Sequence, residues 1–228
     1  MDSPRPSFRS LADIDHEADI EERAAAFPGS FYGDIRALES GLLEKFEAAL
    51  ARDSEEAIQR LLTANPYLLQ YVVPQSGHHG TWVFPKQMIR TKAANGMPGL
   101  IPDFLVVTSG SLGYKWQIVE LKKASVQFAK LSGKSYTRDA ADGIAQCATY
   151  RAHFTNYIET VRSNIGISEV IVPDNVILLI GDSTSETDKQ RICRAEFDSL
   201  GSNMMIASYD RIRRGLTNDL GFRRRADN

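Results

Sequence analysis

Two apolar runs, Ile101–Val107 and Lys115–Leu121, are separated by Ser109-Gly110-Ser111-Leu112-Gly113. A connection this short and this rich in Gly and Ser makes the runs pair as an antiparallel hairpin. With the turn centred between Ser111 and Leu112, Asp103 stands directly opposite Glu120. Opposed residues share one face of a ladder, with Cβ atoms about 5 Å apart. Lys122 lies two residues beyond Glu120 and returns to the same face.

The elements around this hairpin follow from periodicity. Ile35, Leu38, Leu42, Phe46 and Leu50 recur at helical spacing and predict a helix over Asp34–Ala51. A second helix runs from Glu55 to Ala64, with Asp53-Ser54 as its cap and Asn65-Pro66 as its stop. Strand character returns over Trp82–Ile89, and a long helix is predicted over Asp139–Val161. Val176–Ile180 is wholly apolar, as suits a strand buried on both faces. A helix over Lys189–Leu200, a short strand over Met204–Ala207 and a terminal helix from Asp210 complete the order. The order predicts an α/β fold with a mixed β-sheet flanked by helices. The expected division is a polar, acidic amino-terminal arm (residues 1–33), one domain (34–216) and a basic tail (217–228) holding Arg223-Arg224-Arg225.

Composition excludes several classes. The 228 residues suit one domain with a sizeable core. The two cysteines, Cys147 and Cys193, are too far apart for a zinc motif or a disulfide framework. No apolar run is long enough for a membrane span, and the amino terminus lacks a signal-peptide core, so a cytoplasmic protein is expected. Nothing signals a small-molecule cofactor. Charge is uneven: residues 1–60 carry 7 Lys/Arg against 14 Asp/Glu, whereas residues 61–160 carry 10 against 5. The basic excess falls on the hairpin's own segment, which favours a phosphate polymer as partner.

Two carboxylates as close as Asp103 and Glu120 repel unless a cation sits between them. Mg²⁺, or Mn²⁺ in its place, takes oxygen ligands and keeps several waters, so Asp103, Glu120 and the backbone carbonyl of Leu121 suffice to hold it. Such an ion acidifies water and polarises a phosphate, while Lys122 can orient the nucleophile or neutralise growing charge. These are the parts that phosphodiester hydrolysis needs. Gln146 and Tyr150 are four apart and share a helix face. Glu55 falls on the face of Ile58 and Leu62, the side turned to the sheet, where a carboxylate wants a partner or a metal; Glu56 falls with Gln59 and Arg60. His78-His79 sits in a Gly-flanked loop without metal-ligand spacing, leaving His79 a candidate phosphate contact, as is Lys123 beside the motif. His153 extends the Gln146–Tyr150 face.

Four segments together resemble the Shedu family of bacterial defence nucleases. They are Ser54–Leu69, Pro102-Asp-Phe-Leu-Val, Ile118-Val-Glu-Leu-Lys-Lys and Ile144-Ala-Gln-Cys-Ala-Thr-Tyr-Arg. Val176–Gly181 and Ser208-Tyr-Asp-Arg-Ile continue the likeness, which covers about residues 40–216. The resemblance implies a restriction-endonuclease-like PD-(D/E)xK core that cuts phage DNA as a homo-oligomer, a tetramer or dimer. Asp103, Glu120 and Lys122 match its catalytic motif and Gln146 its downstream glutamine. In the RecB-like branch, Gln-x-x-x-Tyr lies beside the metal site and contacts DNA or orders water, and a first-helix glutamate completes the metal site. The chain departs in its short acidic arm and in Ala124 after Lys123, where a proline often follows a basic residue. A repair or restriction endonuclease of the same fold would use the same site, and a non-cleaving nucleic-acid sensor could keep the fold.

Overall fold

The computed structural model describes residues 16–74, 80–91, 99–110, 113–200 and 203–226. Six strands form one sheet in sequence order. They are β1 (Phe31–Gly33), β2 (Thr81–Pro85), β3 (Phe104–Gly110), β4 (Gly113–Leu121), β5 (Asn175–Leu179) and β6 (Met204–Ala207). The first four form an antiparallel meander, and β4, β5 and β6 run parallel. The mixed sheet expected from the element order is present. Phe104 pairs with Val119 and Gly110 with Gly113, the register in which paired residue numbers sum to 223.

Alternating side chains feed two cores. Val83, Phe104, Val106, Val119 and Leu121 pack on one face with α2 (Leu42–Ala51), α3 (Glu55–Ala64), the turn Pro66–Tyr71 and α6 (Tyr209–Ala226). Leu105, Val107, Trp116, Ile118 and Leu178 pack on the other with α4 (Arg138–Ile165) and α5 (Asp188–Ser199). Strand β5 contributes to both faces, as its unbroken apolar sequence requires. Among the described residues no helix is long and apolar enough to cross a membrane.

One expectation needs correction, and two segments carry more structure than expected. The helix expected over Asp34–Ala51 is broken. Asp34 caps a single 3₁₀ turn (Ile35–Ala37) by accepting the N–H of Arg36 at 2.9 Å, Leu38 is extended, and α2 starts at Leu42. The arm expected over residues 1–33 is docked wherever it is described. Helix α1 (His16–Ala24) leads to a buried Phe27, whose ring meets Trp82, Tyr114 and Trp116 edge-on at 5.4, 4.8 and 5.6 Å. The indole N–H of Trp82 donates to the Arg23 carbonyl at 2.8 Å, and β1 adds an edge strand. Lastly, α6 continues to Ala226, so most of the expected tail is helix. His78 and His79 lie outside the described residues.

Candidate active site

The ladders position the site. Pro85 pairs with Phe104 and Phe104 with Val119; one step further, Lys86, Asp103 and Glu120 stand in a row across β2, β3 and β4. The row lies at the end of the meander, with Asp103 and Glu120 in the same alternation as Leu105 and Ile118, on the face covered by α4. Asp103 and Glu120 are both buried.

Both oxygens of Asp103 are engaged. Oδ2 accepts the Leu121 N–H at 2.7 Å, and Oδ1 is ion-paired with the Lys86 ammonium. In strand geometry the Leu121 carbonyl leaves the same edge as its N–H, towards Asp103. Lys86 also donates its backbone N–H to the Asp103 carbonyl at 2.9 Å. Its φ of 49° is left-handed, a conformation that costs a non-glycine residue on the order of 1 kcal/mol.

Glu120 is less well satisfied. Oε1 accepts from Lys122 Nζ at 3.3 Å, whereas Oε2 is buried with no partner at hydrogen-bonding geometry among the described residues. Burial, then the charge of Asp103, pushes the Glu120 carboxyl up to about 7; Lys122 and the nearby Tyr150 hydroxyl oppose the shift. Tyr150 is itself buried, its phenol held far above the usual range by burial and by Glu120, and its hydroxyl donates to the Ile101 carbonyl at 3.4 Å. Tyr150 was expected to touch nucleic acid. Burial turns it inward to Glu120 instead.

Lys122 bridges two elements: the contact to Glu120 is joined by one of 2.7 Å to Gln146 Oε1 on α4. Its backbone carbonyl accepts the hydroxyl of fully buried Tyr209 at 2.7 Å, so α6 fixes the chain where β4 ends. Beyond Lys122 opens a cleft of about 580 Å³ that Lys123, Glu55 and Gln146 also line. Asp53, at φ 47°, ties the α2–α3 turn to the far side of this cleft by accepting the N–H and hydroxyl of Ser125 at 3.0 and 2.7 Å. Ser54 caps α3 by accepting the Ala57 N–H at 3.3 Å, which starts the helix with Glu55 in the cleft wall; Glu56 is exposed and pairs with Arg60.

Asp103, Glu120, Lys122 and Gln146 are thus brought together, with Lys123 and Glu55 in the adjoining cleft. Among the described residues no three His, Cys, Asp or Glu are grouped to hold a metal, so Glu55 does not complete a three-carboxylate set. The residues present still fit a hard divalent cation. Two buried carboxylates stand opposite each other, one with an oxygen lacking a partner among the described residues, and strand geometry turns the Leu121 carbonyl towards Asp103. That donor set suits Mg²⁺, which fills its remaining positions with water. His153 has a structural part: it is buried, its ring nitrogen is 3.2 Å from the Ile89 carbonyl oxygen, and burial lowers its pKa. Lys86, Gly143 and Tyr209 were not foreseen. Of these, Gly143 carried a signal as an interruption in a strong helical pattern, and Tyr209 lay within the Ser208-Tyr-Asp-Arg-Ile likeness without a role being read for it.

A family model described as Shedu protein SduA, C-terminal, matches residues 52–212. That span begins just before α3 and ends within α6, taking in β2 to β6 and every residue of the acid–acid–lysine–glutamine set. No curated protein matches the chain. The chain belongs to this family.

Proposed function

We propose, with Shedu-family membership as the premise, that the chain is a metal-dependent DNA endonuclease of the PD-(D/E)xK type that serves bacterial anti-phage defence. One observation carries the reading: Glu120 is buried opposite Asp103, one of its oxygens without a hydrogen-bond partner among the described residues, while Lys122 is held between Glu120 and Gln146. Evenly charged surfaces do not need such a set, and burying it costs stability.

A bound Mg²⁺ or Mn²⁺ supplies a polarised phosphate and an acidified water. The rest belongs to the chain. Asp103 is fixed by the Leu121 N–H, so its carboxylate needs little reorganisation to serve as a ligand. Glu120 would offer Oε2, which has no hydrogen-bond partner among the described residues, to the same ion. Lys122, steered by Gln146, stands where an ammonium can orient the attacking water or meet charge growing on the phosphate. Lys123 is exposed at the cleft and suits a backbone phosphate. Tyr150 tunes Glu120 from beneath. A homo-oligomer working in the cytoplasm completes the proposal.

Supercoiled plasmid incubated with the protein and Mg²⁺ or Mn²⁺ tests the reading, beside Asp103→Ala and Lys122→Ala. Cutting by the wild type alone is the expected result, with loss of phage protection in cells carrying either variant. Equal survival of the plasmid with all three proteins would count against cleavage and favour a non-cleaving sensor.

A further inference from the structure

The sequence and its family motif place one lysine, Lys122, against the carboxylate pair; the structure adds a second, Lys86. Lys86 continues the β2–β3 register beyond Pro85, so it stands opposite Asp103 as Glu120 does on the other side. It is bound there twice, by its backbone N–H to the Asp103 carbonyl and by its ammonium to Oδ1. Its left-handed backbone ends the strand at that residue, yet the side chain still turns to the carboxylate. The Lys86 side chain is 50% exposed and that of Asp103 11%. The ammonium therefore approaches from solvent and can leave without opening the core.

We propose that Lys86 is the resident counter-ion of Asp103, displaced by an arriving divalent cation and then free to meet a phosphate of the bound nucleic acid. The inference rests on the metal-dependent reading of the site. A divalent cation at Oδ1 repels an ammonium already in contact with that oxygen, so the ammonium and the metal compete for it. Lys122 does not compete in this way: it is held by Glu120 Oε1 and Gln146, leaving Glu120 Oε2 open. The second half of the proposal follows from charge. Glu55, Asp53, Asp139 and Asp142 line the cleft beyond Lys122 against Lys122 and Lys123, so beyond those two lysines that wall adds no attraction for a polyanion. Lys86 stands on the opposite flank of the carboxylate pair, and once released from Asp103 it is an unneutralised charge beside the scissile position.

The test is Mn²⁺ binding by titration calorimetry to the full chain, comparing wild type with Lys86→Met, Lys86→Arg and Asp103→Asn. Met keeps the unbranched stem and the same backbone strain while removing the charge, and matched thermal midpoints confirm its fold. The expected result is about five- to tenfold tighter Mn²⁺ binding by Lys86→Met, near-wild-type binding by Lys86→Arg and loss of binding by Asp103→Asn. At saturating Mn²⁺, Lys86→Met is also expected to weaken short-duplex affinity severalfold, read by fluorescence anisotropy. Equal or weaker Mn²⁺ binding by Lys86→Met, with binding by the wild type intact, overturns the counter-ion role alone. Absence of Mn²⁺ binding in every protein overturns both this role and the metal site on which it rests.

Discussion

Gly143 of α4 lies against the stem of Lys122: a Cβ at Gly143 would stand 3.2 Å from Lys122 Cε and 2.7 Å from Leu178 Cδ1. Glycine inside a helix costs about 1 kcal/mol relative to alanine, so propensity alone argues against it here. The close approach explains it. Gly143→Ala is expected to leave the thermal midpoint within a few degrees, helix gain offsetting crowding at Leu178, while displacing Lys122 from Gln146. Plasmid cleavage by this variant should fall about tenfold or more at unchanged Mg²⁺ affinity. An unaltered cleavage rate would mean that the position of Lys122 tolerates this pressure.

Glu120 makes stability depend on pH. Its carboxyl is raised to about 7 in the folded chain, against an ordinary value of 4.5. Between those values the unfolded chain gives up the proton first, so stability falls as pH rises and the full penalty applies above pH 7. The penalty is on the order of 3 kcal/mol. Glu120→Gln removes it. Without divalent ions the variant should melt about 6–12 °C above wild type at pH 8 and level with it near pH 4.5. Mg²⁺ should raise the wild-type midpoint at pH 8 and leave that of the variant unchanged. Calorimetric melting at the two pH values decides this.

Tyr150 favours the charged form of Glu120. Tyr150→Phe should therefore raise the Glu120 carboxyl further and move the acid limb of the cleavage pH profile up by about half a unit. Activity at pH 9 should match wild type. A uniform loss at all pH values would instead assign Tyr150 to packing.

The hairpin was legible because its connection is short enough for arithmetic: only two residues separate Gly110 from Gly113, and every pair back to Phe104–Val119 follows. Lys86 was not legible by the same means. The chain between β2 and β3 is long, so no turn rule carries the register from Pro85 to Phe104. The docked amino-terminal part was hidden by its polar composition, since its anchoring rests on few residues, chiefly Phe27 and the edge strand Phe31–Gly33. In the basic tail the arginine run masked a helical repeat. Ile212, Leu216 and Leu220 are spaced by four and all buried, which carries α6 past the expected boundary. Tyr150 was assigned to the right helix face but the wrong surroundings, because spacing tells which residues share a face and not how deeply that face is buried.

Away from the site, Glu186 and Arg194 form an ion pair in which the Glu186 side chain is 0% exposed and that of Arg194 11%. The guanidinium also lies over the Phe128 ring at 5.4 Å. Removing one partner strands a buried charge, at a cost of about 3 kcal/mol or more. Glu186→Gln should lower the urea midpoint accordingly, whereas exposed Glu56→Gln, which only frees Arg60, should leave it within about 0.5 kcal/mol of wild type. Equal midpoints for the two variants would show that the Arg194 charge finds water.

The most direct measurement is the single-turnover rate of supercoiled-plasmid cleavage at saturating Mg²⁺ by wild type and by Lys122→Met. Matched thermal midpoints serve as the control for folding. The acid–acid–lysine site predicts cleavage by the wild type and a loss of about a thousandfold or more in the variant, from removal of the ammonium held between Glu120 and Gln146. A wild type that leaves the plasmid intact with both Mg²⁺ and Mn²⁺, or a Lys122→Met variant that cuts at the wild-type rate, would contradict it.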